Sequence, residues 1–197
     1  MLSSSPSLAE QKELLRASIL ERLNRMSPKE YEAESRSIVQ RLLEELPADR
    51  TICGFMPMKT EANIRPFLEE VLKRTQRLFL PTFDGHAVTL RQITHLAELR
   101  VNRFSIPEPP MNAPELDPQE DAIALLPGRA FDLQGGRLGR GNGAYDRWVI
   151  ERRKTQSASA YYGTALACQI VQAIPMADHD ARLDGLVTAR GLHLTGK

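Results

Sequence analysis

The run Asp121-Ala122-Ile123-Ala124-Leu125-Leu126, closed by Pro127, constrains the fold more than any other stretch of the chain. A short apolar segment without polar alternation, ended by a breaker, reads as a strand buried within a sheet. Further candidate strands lie at residues 51–56, 77–80 (ending at Pro81), 87–92, 158–166 and 185–194. Helical stretches separate some of them, one capped by Asn63 and running through Leu72, another over residues 145–153. Strands alternating with helices predict an α/β fold with a mainly parallel central sheet.

Two helices precede this alternation. Ser7-Leu8-Ala9-Glu10 reads as a capping box, and Leu14, Leu15, Ile19 and Leu23 continue at helical spacing to about Arg25. Ser27-Pro28-Lys29-Glu30 repeats the signal with proline at the first helical position, and that helix continues to about Leu46. The result is an N-terminal helical hairpin that must pack on the strands and helices behind it. The Ser-rich residues 1–6 are expected to be disordered. Residues 106–119 hold five prolines and predict a loop. No internal repeat or clear boundary divides the 197 residues, which read as a single domain.

Charge narrows the function classes. With 26 basic against 25 acidic residues the net charge is +1, which argues against a nucleic-acid binder working by bulk charge. Cys53 and Cys168 lie too far apart in sequence to suggest a disulfide framework or a four-ligand zinc site, and read as buried, reduced core residues. The N-terminus carries no apolar stretch of signal-peptide length, and no apolar run approaches membrane-spanning length. A cytoplasmic location without membrane partners is therefore expected. His86, His95, His179 and His193 show no metal-ligand spacing.

The chemistry concentrates in Gly135-Gly136-Arg137-Leu138-Gly139-Arg140-Gly141-Asn142-Gly143-Ala144-Tyr145-Asp146, where five of the chain's 12 glycines fall within nine positions. Such a cluster lets backbone N–H groups turn toward a ligand without obstruction. It lies between a predicted strand and a predicted helix, at the carboxyl end of the sheet where open α/β sheets bind ligands. The following helix start favours anions, and Arg137 and Arg140 add two guanidinium forks. Together these describe an anion cradle for a polyphosphate. Neither GxxxxGK[ST] nor GxGxxG is present. A mobile surface loop with solvated arginines remains the bland alternative. Asp146 sits where a carboxylate beside phosphates can hold Mg²⁺, or where an acid simply begins a helix. The cluster Asp178-His179-Asp180-Ala181-Arg182-Leu183-Asp184 offers a partner carboxylate, or a polar turn.

The run ALLPGRAFDLQGGRLGRGNGAYDR, residues 124–147, resembles the signature of the 5-formyltetrahydrofolate cyclo-ligase (5,10-methenyltetrahydrofolate synthetase) family. That signature pairs a PG-x-x-FD segment with G-x-RLG-[YR]-G-x-G-YYD. Weaker similarities follow in order: the K-x-x-x-R of Lys12 and Arg16, Met56-Pro57-Met58-Lys59-Thr60-Glu61, Ile106-Pro107-Glu108-Pro109, and Cys168-Gln169 through Asp180 to Thr188. The resemblance implies a Rossmann-like three-layer sandwich. It also implies closure of 5-formyltetrahydrofolate to 5,10-methenyltetrahydrofolate, with ATP as co-substrate and Mg²⁺ as metal, through a phosphorylated formyl intermediate.

Site roles follow from the same resemblance. Lys12, Arg16 and the loop Arg137, Leu138, Gly139, Arg140, Gly141, Asn142, Gly143, Ala144 and Tyr145 are expected to bind ATP. Arg137 and Arg140 are expected to act on the transferring group. Met56, Glu61, Arg140, Gly141, Asn142, Gly143 and Ala144 are expected to contact the folate, and Asp146 and Asp180 to ligate the metal. A monomer acting on small molecules is expected.

Two positions depart from the family pattern. Ala144 replaces the first of two tyrosines, and Asn142 stands where glycine or lysine is common. Both suggest weakened or altered folate binding. A non-catalytic nucleotide- or folate-binding relative, or an ATP-dependent ligase for another formylated or carboxylated substrate, stays open beside the cyclo-ligase reading.

Overall fold

The computed structural model describes residues 6–74, 76–102, 105–155 and 158–196. Both predicted capping boxes form: Ser7 and Ser27 accept from the Glu10 and Glu30 amides, and the two glutamates return bonds to the cap residues. They start α1 (Leu8–Arg25) and α2 (Pro28–Glu45). Behind them come β1 (Thr51–Cys53), α3 (Arg65–Lys73), β2 (Leu78–Phe83), β3 (Val88–Ile93), β4 (Arg100–Val101), β5 (Pro107–Glu108) and β6 (Ala122–Leu126). The chain continues through β7 (Ala130–Phe131), β8 (Arg137–Leu138), α4 (Ala144–Arg153), β9 (Ala160–Thr164), β10 (Gly185–Thr188) and β11 (Gly191–Leu194). Of the expected disordered stretch, residues 1–5 lie outside the described residues; Pro6 is described, and its carbonyl accepts from Gln11 Nε2 at 2.8 Å.

Seven strands form the main sheet in the order β11-β10-β9-β6-β1-β2-β3. β10, β9, β6, β1 and β2 run parallel, and β11 and β3 are antiparallel edges. All five residues of β6 are buried, as a continuous apolar run requires. Their side chains alternate between two cores. Ile123 and Leu125 pack with α2 and α3 residues such as Ile38, Leu42 and Leu68, whereas Ala122, Ala124 and Leu126 pack with Val149 of α4. Fully burying side chains of the size of Ile123 and Leu125 stabilises by about 1.5–3 kcal/mol each, so this strand anchors both layers. The molecule is thus a three-layer α/β sandwich.

The helical hairpin divides its packing. α2 covers the sheet, while Ile19 of α1 joins Ala130, Leu138 and Ile174 in a separate small core over the β7–β8 hairpin. This places the polar face of α1 beside the glycine-rich loop that follows β8.

Several boundaries differ from the sequence expectation. β2 runs past Pro81 to Phe83. The carbonyls of Arg77 and Phe79 accept from Ile52 and Gly54, so alternate residues of β2 turn their polar groups toward β1. Pro81 belongs to that set but lies beyond the end of β1, where its missing N–H costs no ladder bond. The predicted final strand 185–194 is a hairpin of β10 and β11, turned at Gly191 (φ 125°). Asn63 accepts from the Arg65 amide at 3.2 Å, although Ile64 occupies the cap position of α3. The proline-rich loop contributes β5, which pairs with β4. Cys53 is buried as expected, Cys168 is only half-buried, and both thiols are free. No helix among the described residues is long and apolar enough to cross a membrane.

Candidate active site

The connections out of β1 and β6 diverge. α3 carries the chain from β1 to β2 on one side, and α4 carries it from β6 to β9 on the other. Where neighbouring strands feed opposite ways, a crevice opens at their carboxyl ends. A cavity of about 600 Å³ lies there, lined by Phe55 and Met56 after β1 and by Pro127 and Gly128 after β6.

Asp132 fixes the turn that leads into one wall. This buried carboxylate accepts from the amides of Gln134 (2.9 Å), Gly136 (2.7 Å) and Ile174 (2.7 Å), which fixes the β7–β8 turn. The loop after β8 then reaches α4 through Gly141 (φ 112°) and Gly143 (φ 63°), left-handed positions that a side chain would strain. Asn142 Oδ1 accepts from the Ala144 amide at 3.3 Å. The N-terminus of α4 opens onto the cavity, with its first amide taken by Asn142 and no side-chain cap from Gly143.

Four cations line the same space. Arg137 is 3% exposed at its side chain; it donates from Nη1 to the Pro127 carbonyl at 3.1 Å and from Nη2 to Asp146 Oδ1 at 2.9 Å. Its guanidinium lies 5.6 Å from the centre of the Tyr145 ring, within cation–π range. Arg140, 37% exposed, pairs with Glu61 Oε1 at 2.9 Å. The other Glu61 oxygen accepts from the Met58 amide at 2.9 Å. Arg16 Nε donates to the Gly139 carbonyl at 2.9 Å, and one turn earlier Lys12 pairs with Asp180 at 2.5 Å. Nearby, burial holds the Arg129 guanidinium below its usual pKa, and the charges of Arg140 and Arg16 push the same way against Glu61.

The β1–β2–β3 side of the lining is largely apolar: Phe55, Met56, Met58, Phe83, Val88, and Ile106 before β5. Two carboxylates interrupt it, Glu61 and Glu108. Burial raises the Glu108 pKa, opposed by an Asn102 side-chain bond and by the Phe83 amide at 3.2 Å. Burial also pushes the half-buried Tyr145 phenol well up, with Glu61 adding to the shift. A charged wall facing an apolar wall suits a ligand pair in which one partner is a polyphosphate and the other a flat heterocycle.

The cavity brings together every residue that the sequence nominated: Lys12, Arg16, Met56, Glu61, the segment 137–145, Asp146 and Asp180 all line it. Asp146 and Asp180 are near neighbours, since the Ala181 amide donates to Asp146 Oδ1 at 3.3 Å. Among the described residues no group of three or more His, Cys, Asp or Glu is arranged to hold a metal ion. The donor chemistry nevertheless suits Mg²⁺, which takes one or two carboxylates and completes its shell with phosphate oxygens and water. Burial alone would raise the Asp180 pKa; the Ala177 amide and Lys12 outweigh it and hold the carboxyl below its ordinary range.

Sequence reasoning missed the apolar wall, because Phe55, Phe83, Val88 and Ile106 carry no chemical signature until the sheet order is known. It also assigned no role to Gln169, which is fully buried and donates to the carbonyls of Gly128 (2.9 Å) and Arg129 (3.2 Å) while accepting from the Leu166 amide (3.0 Å).

Residues 8–189 match the sequence profile of the 5-formyltetrahydrofolate cyclo-ligase family. The chain is 28% identical over 192 residues to a probable 5-formyltetrahydrofolate cyclo-ligase of Schizosaccharomyces pombe, covering 90% of this chain and 94% of that one. It is 28% identical over 178 residues to the 5-formyltetrahydrofolate cyclo-ligase of Escherichia coli, covering 86% and 96%. Among solved structures, the 5,10-methenyltetrahydrofolate synthetase of Aquifex aeolicus superposes with a TM-score of 0.78 at 29% identity, covering 94% of this chain and 93% of that one.

Proposed function

Because the chain belongs to the 5-formyltetrahydrofolate cyclo-ligase family, we propose that it closes 5-formyltetrahydrofolate to 5,10-methenyltetrahydrofolate, converting ATP to ADP and phosphate. The observation that carries this reading is the single cavity in which four cations and two aspartates face an apolar wall.

The chemistry explains why both walls are needed. A formamide oxygen is a poor leaving group. Its attack on the γ-phosphorus forms an O–P bond, breaks the bond to ADP, and leaves an iminium carbon activated by phosphate. N10 attacks that carbon and closes the five-membered ring, its proton is released, and phosphate departs with the former formyl oxygen. Phosphoryl transfer needs positioning and charge neutralisation more than covalent help from the protein.

Lys12 and Arg16 reach the nucleotide phosphates from α1, and the loop amides and Arg140 embrace the transferring group. Arg140 is the more available of the two loop arginines: each holds a carboxylate, but Arg140 is 37% exposed and Arg137 3%. Arg137 acts by holding Asp146 and by stacking on Tyr145. Asp146 and Asp180 would hold Mg²⁺, which supplies charge neutralisation to the phosphates when bound. Met56, Glu61 and residues 140–144 contact the pterin beside the apolar wall. A single cytoplasmic domain acting as a monomer completes the reading, and two unpaired thiols suit that compartment.

Methenyltetrahydrofolate absorbs in the near-ultraviolet where 5-formyltetrahydrofolate does not. Purified protein with Mg·ATP and 5-formyltetrahydrofolate is expected to generate that band. Nucleotide binding without it would favour a non-catalytic relative, which Ala144 and Asn142 in the cavity lining would suit. ADP release with a different acceptor would assign another substrate.

A further inference from the structure

The two aspartates nominated for the metal are each closed by a cation nominated for catalysis or phosphate binding. Lys12 Nζ lies 2.5 Å from Asp180 Oδ2, and Arg137 Nη2 lies 2.9 Å from Asp146 Oδ1. The side chains are 16%, 12%, 3% and 10% exposed, so solvent screens neither pair well. In each carboxylate the recorded bonds fall on one oxygen: Asp180 Oδ2 also accepts from the Ala177 amide, and Asp146 Oδ1 from the Ala181 amide. Among the described residues, the second oxygen of each makes no hydrogen bond.

A divalent ion entering this space alone would meet an ammonium and a guanidinium already seated on its ligands. A bare polyphosphate drawing on Lys12 would leave the Asp180 carboxylate, 12% exposed, without its cation. Only the two together offer Lys12 and Asp180 new partners at once. From this geometry we infer that Lys12 is an exchangeable counter-ion, which keeps Asp180 closed to metal until nucleotide phosphate draws it away. The metal site is then assembled by the nucleotide and does not stand ready before it. The inference rests on the nucleotide reading above and adds to it a coupling between two ligands, which must be equal in both directions. The Arg137 pair, the more buried, stays in place as the fixed half of the site.

Mn²⁺ serves as the metal, its free concentration read by electron paramagnetic resonance during titration of the whole protein, with and without ATP. Wild type is expected to bind Mn²⁺ weakly alone and much more tightly with ATP. Lys12→Met is expected to bind Mn²⁺ alone about tenfold more tightly than wild type, within the usual range of a coupling energy, while losing affinity for ATP. Asp180→Asn added to Lys12→Met is expected to remove the gain. Lys12→Gln, which keeps a hydrogen-bond donor near Asp180 without the charge, guards against a folding defect in the methionine variant, and cooperative thermal melts confirm that each variant is folded. Mn²⁺ binding by both folded Lys12 variants no tighter than wild type overturns the inference while leaving the nucleotide site standing. Failure of wild type to bind Mn·ATP at all overturns both.

Discussion

Arg137 at the start of β8 and Asp146 in the first turn of α4 meet at 2.9 Å inside the protein, their side chains 3% and 10% exposed. The pair spans the glycine-rich loop and ties its two ends together. Leaving one member of a buried pair without its partner costs about 3–5 kcal/mol, because the survivor stays desolvated and unpaired. Asp146→Ala is therefore expected to lose most activity and also to lower the unfolding free energy by about 3 kcal/mol. Asp146→Asn, which keeps an acceptor for the Ala181 amide, is expected to destabilise less while being equally inactive. Denaturant unfolding beside the absorbance assay separates the two effects. Full activity in either variant would remove Asp146 from the reacting assembly.

Ala144 lines the cavity at the first position of α4 and is 2% exposed. An aromatic ring there would stack on a bound heterocycle, a contact worth about 1 kcal/mol beyond its buried area. Ala144→Tyr is expected to lower the KM for 5-formyltetrahydrofolate about fivefold and to leave the KM for ATP where it was. A folate KM that does not move would mean that the missing ring is compensated elsewhere in the wall.

What the sequence made legible was local or chemical. The two capping boxes need only four consecutive residues each, and both form. The Ala122–Leu126 strand announces itself because being buried on both faces leaves no room for polar residues. The glycine loop was readable since glycines and arginines at that density have few structural uses. What stayed hidden depends on distant partners. Lys12 and Asp180 are 168 positions apart, so their pairing appears only once α1 lies on the β7–β8 hairpin. That hairpin escaped notice because its strands are two residues long and its turn relies, beside its own backbone bonds, on the Asp132 carboxylate and the distant Ile174 amide. β2 outran Pro81 for a reason visible only in the sheet order, namely that β1 had already ended.

Gln169 illustrates how a residue remote from substrate can set the site. Its side chain fastens the Gly128 and Arg129 carbonyls, just after the Pro127 carbonyl that receives Arg137. Gln169→Leu would leave those carbonyls and the Leu166 amide without their partner in a fully buried place, at about 1–3 kcal/mol for an unsatisfied buried group. A lower unfolding free energy of that size is expected, together with reduced turnover as the Arg137 anchor loosens. Unchanged stability would show that the loop after β6 holds itself.

Cys53 offers the clearest dependence on pH. Burial in the core shared with Phe79, Ala124 and Val149 pushes its thiol up to about 12 from an ordinary 9.0, with Arg152 opposing and Glu120 adding to the shift. In the unfolded chain the thiol ionises near 9.0, whereas in the folded chain it stays neutral until about 12. The unfolded state therefore binds fewer protons between these values, and stability must fall as pH rises through that window. The full effect is present below it, and one such group steepens the fall by about 1.4 kcal/mol per pH unit. The half-buried Tyr145 and the buried Tyr161, whose phenols are likewise raised by burial, add to the same alkaline loss. Cys53→Ala is expected to lower stability at neutral pH, through the small cavity it leaves, and to make the decline above pH 9 shallower than in wild type. Denaturant titrations at a series of pH values measure both slopes, and equal slopes would place the thiolate within reach of water in the native protein. A thiol reagent at pH 8 supplies an independent check: the half-buried Cys168 is expected to react slowly in the native state, and Cys53 only after unfolding.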